Sequence, residues 1–139
     1  MDVELVNNYN NNYLDSIYST YKSVGWLNHN KESIKELMNN STHITLAVYN
    51  NEVIGLGRAL SDGIFNAAIY DVVVKNEFQN MKIGSKILNN LLDRIGDVSC
   101  IHLISTTGNI DFYRSQGFRK LKTGMVIYQS DKLINEYTE

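Results

Sequence analysis

Ile69-Tyr70-Asp71-Val72-Val73-Val74, followed by Gln79-Asn80-Met81-Lys82-Ile83-Gly84-Ser85 and then by Ile87, Leu88, Leu91, Leu92 and Ile95, is the stretch on which the fold turns. The first segment ends an apolar, β-branched run from Phe65 to Val74, interrupted only by Asn66, Tyr70 and Asp71, which predicts a largely buried strand. From Ile83 onward the apolar positions recur at helical spacing until Gly96 supplies a stop, so a long helix follows the strand. The first turn of such a helix has unpaired N–H groups and a partial positive charge, so the joint between strand and helix can hold a pyrophosphate. Gly84 allows close backbone approach. The alternative reading of the same residues is a capped helix without a ligand.

Working outward, Val3 and Leu5 alternate as in a short strand, and Tyr13, Leu14, Ile17, Tyr18 and Tyr21 line one face of a helix. After Gly25 and Trp26, Ile34, Leu37 and Met38 predict a second helix over Lys31 to Asn40. His43 to Tyr49 and Val53 to Leu60 are rich in β-formers, and Asn50 and Asn51 between them tolerate the positive φ of a hairpin turn. Asp62 and Gly63 mark the next turn. Beyond the long helix, Ile101, Leu103 and Ile104 predict a buried strand, Asn109 to Ser115 a short helix ended by Gly117, and Phe118 to Gln129 a closing hairpin around Gly124. The expected order is βααβββαβαββ, an α+β arrangement with a mixed central β-sheet flanked by helices.

Length and composition bound what such a fold can do. With 139 residues and 43% hydrophobic content, the expectation is a single domain over 1–139 that buries roughly two thirds of its unfolded surface. One cysteine, Cys100, forms no internal disulfide, and His29, His43 and His102 lack the mutual spacing of metal ligands, so no metal is expected and the cytoplasm is the natural compartment. Thirteen basic against fifteen acidic residues argue against nucleic acid as the principal partner. No cationic leader precedes an apolar run and no apolar stretch approaches bilayer length, so no membrane association is expected.

The segment Gln79 to Gly84 resembles the acetyl-CoA loop of the GCN5-related N-acetyltransferases, the GNAT superfamily. That loop reads Gln or Arg, two residues, Gly, one residue, then Gly or Ala, and here Gln79 and Gly84 match. The likeness extends to the strand Ile69 to Val74 and to Phe112-Tyr113-Arg114-Ser115-Gln116-Gly117-Phe118. Ser23-Val24-Gly25-Trp26, Gly55-Leu56-Gly57-Arg58 and Asp62-Gly63 also look like segments of small bacterial members. The chain departs from the pattern at Lys82, where the loop's first glycine falls, at Thr106, where an asparagine is common, and at Asn76, where a proline is common. If position 82 needs left-handed φ, lysine there costs roughly 1–2 kcal/mol.

The resemblance implies the GNAT fold and transfer of an acetyl group from acetyl-CoA to a primary amine, a small molecule being favoured, by direct attack in a ternary complex. It implies that Gln79, Asn80, Met81, Lys82, Ile83, Gly84 and Ser85 hold the pyrophosphate, that Val72, Val73 and Val74 meet the pantetheine arm and the oxyanion, and that Thr106, Asn109 and Tyr113 complete the cofactor site. An alkylamine is neutral in about one molecule in 2,500 at pH 7, so a base would help, and Asp71 is the nearest candidate by sequence. Its alternative is a strand-end carboxylate paired with Arg58. Tyr113 sits where the family often has the acid that protonates the leaving thiolate; its alternative is a core tyrosine beside Phe112 and Phe118. Tyr21, Trp26, Arg58, Asp62 and Tyr70 are the candidate acceptor-pocket residues, with Arg58 either anchoring an acceptor carboxylate or pairing with Asp62. A homodimer is common among similar folds. A non-catalytic acyl-CoA-binding or regulatory domain and a peptide or protein N-acetyltransferase are the competing functions.

Overall fold

The computed structural model describes residues 1–139 and divides into two compact units, Met1–Ile104 and Ser105–Glu139. The first unit contains β1 (Glu4–Val6), α1 (Leu14–Ser23), α2 (Lys31–Asn40), β2 (His43–Tyr49), β3 (Glu52–Ser61), β4 (Asn66–Val74), α3 (Ile83–Ile95) and β5 (Cys100–Leu103). Its strands form one sheet in sequence order, antiparallel from β1 to β4 and parallel between β4 and β5. The parallel step follows from the connection: α3 carries the chain from the end of β4 back to the start of β5, whereas short turns join β2 to β3 and β3 to β4. Asn50 and Asn51 both take positive φ, 51° and 63°, the two-residue hairpin that the paired asparagines predict.

The sheet is covered on both faces. On one, Ile17, Tyr21, Ile34 and Met38 of α1 and α2 cluster with Leu46, Val53, Leu56 and Val73. On the other, Ile83 and Ile87 of α3 cluster with Ala47 and Ile54, and Val72 and Val74 pack against them. The glycines of β3 set the distance of α3: a Cβ on Gly55 or Gly57 would lie 2.8 Å from a methyl group of Ile87. Both positions therefore admit the helix because they have no side chain.

The two remaining helices belong to the second unit. They are α4 (Ile110–Ser115), ended by Gly117 at φ 97°, and α5 (Asp131–Tyr137), capped by Ser130. The expected closing hairpin is absent: no residue from Phe118 to Gln129 is in a strand, and a helix ends the chain instead. The cations Arg119, Lys120 and Lys122 break the alternation there, and strand propensity without a ladder partner does not hold a strand. β5 is likewise a half-buried edge strand rather than a buried one, because only β4 pairs with it.

Candidate active site

The site begins with a register change. Gly57 pairs with Val72 and Ala59 with Ile69, so the single residue Arg58 on β3 lies opposite two residues on β4, Tyr70 and Asp71. This β-bulge directs two consecutive side chains toward Arg58, where a regular strand would send them to opposite faces. Arg58 Nε donates to Asp71 Oδ2 at 2.9 Å, and its guanidinium carbon lies 5.1 Å from the centre of the Tyr70 ring. Arg58 Nη1 also reaches Ser41 Oγ at 3.4 Å. The Arg58 and Asp71 side chains are 14% and 11% exposed, so the pair is largely withdrawn from water and needs its mutual neutralisation.

From the other side, α1 supplies Tyr21, wholly buried, whose hydroxyl donates to the same Asp71 Oδ2 at 2.8 Å. Burial above all, then the charge of Asp71 and its hydrogen bond, pushes the Tyr21 phenol far up, so it remains a proton donor to Asp71. Gly25, at φ 85°, turns the chain after α1 and brings Trp26 back against Tyr21, with ring centres 5.7 Å apart. His29 stacks on the Tyr21 ring at 4.4 Å and 19°, and its centre lies 5.6 Å from that of Trp26. Burial lowers the pKa of the His29 imidazole; Arg58 acts in the same direction and Asp71 against it.

Tyr21, Trp26, Arg58, Tyr70 and Asp71, all anticipated from sequence, thus converge on one face of the sheet. Asp62 does not join them. Its Oδ1 accepts from the backbone N–H groups of Ile64, Phe65 and Asn66, which hold its carboxyl below the usual range, and Arg58 pairs with Asp71 instead. His29 and Ser41 were not legible as site residues, since a ring stack and a hydrogen bond across elements leave no periodic trace.

Beyond the bulge, β4 has an open edge. Pairing with β5 stops at Ile69 opposite Leu103, so Tyr70 to Val74 have a strand neighbour on the β3 side only. The chain then makes a 3₁₀ turn, Asn76–Phe78, and the Gln79 side chain donates to Val74 O at 3.0 Å, closing the loop onto the strand end. Asn80 and Lys82 both take left-handed φ, 65° and 63°, with Lys82 as the N-cap of α3 and no side-chain cap. The lysine therefore occupies the conformation that glycine adopts without strain. The first backbone bond of the helix type is Lys86 N to Lys82 O, so the amides of Ile83 and Gly84 stand at the helix entrance, beside the exposed Lys82.

In the second unit, Asn109 Nδ2 donates to Thr106 Oγ1 at 2.6 Å, so these two candidate residues bond to each other. The Tyr113 ring meets Phe112 and Phe118 edge to face at 5.0 and 5.8 Å and is part-buried. No group of three or more His, Cys, Asp or Glu residues is placed to hold a metal ion, and no helix is long and apolar enough to cross a membrane.

Residues 11–118 match the Acetyltransferase (GNAT) family. An uncharacterized N-acetyltransferase, ycf52, of Porphyra purpurea is 32% identical over 130 residues, covering 89% of this chain and 74% of that protein. The chloroplastic GCN5-related N-acetyltransferase 1 of Arabidopsis thaliana is 28% identical over 109 residues, 76% of this chain and 55% of that one. Among solved structures, a GNAT family acetyltransferase from Streptococcus pneumoniae TIGR4 superposes with a TM-score of 0.77 at 28% identity, covering 93% of this chain and all of its own.

Proposed function

This chain belongs to the GNAT family and is an N-acetyltransferase, and we propose that it moves the acetyl group of acetyl-CoA to the primary amine of a small molecule by direct attack within a ternary complex. The observation that carries the reading is the open edge of β4 from Tyr70 to Val74, with the Arg58–Asp71 cluster at its start and the left-handed loop at its end. One strand thus offers a binding edge for an extended arm, a polar and aromatic pocket, and a helix entrance for a pyrophosphate.

The residues present fit acetyl-CoA, which when bound supplies an activated thioester. The amides of Met81 to Ser85 and the Lys82 ammonium suit the pyrophosphate, and the backbone of Val72, Val73 and Val74 suits the amides of a pantetheine arm added like a strand. A backbone N–H near Val73 serves as donor to the carbonyl oxygen as its charge grows. Asp71 keeps Oδ1 for the acceptor ammonium, since both of its hydrogen bonds fall on Oδ2. Tyr70 and Trp26 provide aromatic surface toward a cation. The family resemblance assigns the acid for the departing sulfur to Tyr113 and further cofactor contacts to Thr106 and Asn109. We read both units as one domain over 1–139 acting in the cytoplasm, with a homodimer as its assembly.

Free-thiol release from acetyl-CoA, measured with a diamine, a phenethylamine, an aminoglycoside, an amino acid and a peptide with a free amino terminus, tests the activity and the acceptor class together. Acceptor-dependent release is expected with a small amine, and release only with the peptide moves the acceptor to proteins. Binding of acetyl-CoA without release from any of them would replace the enzyme by a non-catalytic acyl-CoA-binding domain. Tyr113→Phe should lower kcat by roughly 10²-fold while changing the acetyl-CoA Kd little, because the phenol is needed only as the sulfur leaves.

A further inference from the structure

We propose that His29 is the base of this reaction, taking a proton from the acceptor ammonium held at Asp71. The inference rests on the acetyl-transfer reading above and adds the proton acceptor to it. An alkylammonium of pKa about 10.4 gives its proton to an ordinary carboxylate of about 3.9 against a factor of roughly 10⁶ to 10⁷, and to an ordinary imidazole of about 6.5 against roughly 10⁴. Asp71 is further committed: its Oδ2 already accepts from Arg58 Nε and from the Tyr21 hydroxyl, within 2.9 Å of a guanidinium. With Oδ2 so occupied, the part left to the carboxylate is to hold the cation through Oδ1.

His29 has the complementary properties. Its ring lies flat on Tyr21, the residue whose hydroxyl bonds Asp71, so the imidazole shares a wall with the carboxylate. Its backbone position is fixed, because the next residue, Asn30, opens α2 through a capping box: Asn30 Oδ1 accepts from Ser33 N at 2.8 Å, and Asn30 N donates to Ser33 Oγ at 3.1 Å. No protein group takes either ring nitrogen, and neither is sealed from solvent. A lone pair is thus open to the acceptor and an exit to water remains. The charged and titratable groups facing the imidazole are Tyr21 from α1, Arg58 from β3 and Asp71 from β4. Their net effect with burial keeps it neutral, and so able to accept, at neutral pH.

The step balances as follows. One ammonium proton passes to the free imidazole nitrogen and from there to water. The amine lone pair forms the C–N bond while the C–S bond breaks with its electron pair on sulfur; the sulfur takes the proton of the Tyr113 phenol, and the second proton that the nitrogen loses restores that phenol.

The test is kcat/KM from about pH 5 to about pH 9 for the wild-type enzyme, His29→Phe, which keeps the stack on Tyr21, and His29→Gln, with whichever panel amine the wild type acetylates fastest. The wild-type profile should fall as pH drops through an inflection below about 6.5, where the imidazole becomes charged. Both variants should be roughly 10²-fold slower at pH 7, lack that inflection, and approach the wild-type rate at the alkaline end as the amine loses its own proton. A His29→Phe enzyme with the wild-type rate and profile, or both variants lowered uniformly with the inflection retained, overturns the assignment and leaves His29 as pocket wall. A wild-type enzyme that acetylates no amine overturns the acetyl-transfer reading itself and the base with it.

Discussion

The two ends of the open β4 edge are built from different materials. At the Tyr70–Asp71 end, side chains do the work: Arg58, Asp71 and Tyr21 are interlocked by two bonds on one oxygen and largely buried, and His29 and Trp26 pack around them. At the Gln79–Ser85 end, the backbone does it: Asn80 and Lys82 are exposed, their φ angles are left-handed, and the amides of a helix entrance are the groups proposed to meet the cofactor. The first end is intolerant of chemical change because each group compensates another. The second tolerates many side chains and is sensitive to bulk and backbone shape.

The sharpest way to break this contrast is Gly84→Glu. It should weaken acetyl-CoA binding by more than about 10²-fold, roughly 2.7 kcal/mol, through bulk and like charge beside the pyrophosphate, as calorimetry would report. The melting temperature should hold, since a carboxylate in the first turn of α3 suits the helix dipole. Unchanged affinity would remove the loop from the cofactor site. Next in size, Asp71→Ala leaves Arg58 largely buried without its counter-ion and should cost about 2–4 kcal/mol in urea unfolding. Replacing Arg58 and Asp71 together by leucine should cost less than Asp71→Ala alone, and a double variant that is less stable than the single would contradict the pairing. The smallest effect sharpens the contrast from the loop side. Lys82→Gly should raise stability by about 0.5–1 kcal/mol, the strain of the left-handed lysine less the greater chain entropy that glycine loses, yet bind acetyl-CoA less tightly and with a shallower salt dependence. A salt series that overlays the wild-type curve would show that the ammonium contributes nothing.

Legibility in the sequence follows the same division. The α3 stripe from Ile83 to Ile95, the α2 span and the Asn50-Asn51 hairpin were readable because periodicity and turn chemistry are local, and the loop was readable because Gln79 and Gly84 keep a fixed spacing. The bulge was not. A period of two sends Tyr70 and Asp71 to opposite faces, and only the pairing with β3 reveals that both meet Arg58. For the same reason Arg58 could be assigned to Asp62 or Asp71 with equal warrant until the turn hydrogen bonds of Asp62 were seen. The Phe118–Gln129 hairpin was expected from propensity alone, which measures fit to a sheet and not the presence of one.

The bulge also bears on how this chain can change over generations. Ile69 pairs with Ala59 and Val72 with Gly57, so both lie on the α3 side, and the two residues between them form an insert that leaves the frame of the core in phase. Losing one of the two by deletion would leave one residue opposite Arg58 and restore the regular ladder, with Val72 still opposite Gly57 and Val73 still among the α1 and α2 residues, but only one side chain would then meet Arg58. In the proposed acceptor pocket, exchange is open to the lineage at Tyr70, which is half exposed, or at Arg58 and Asp71 as a couple. Shortening the bulge by one residue would keep the core in register and take away the meeting of Tyr70 and Asp71 at Arg58.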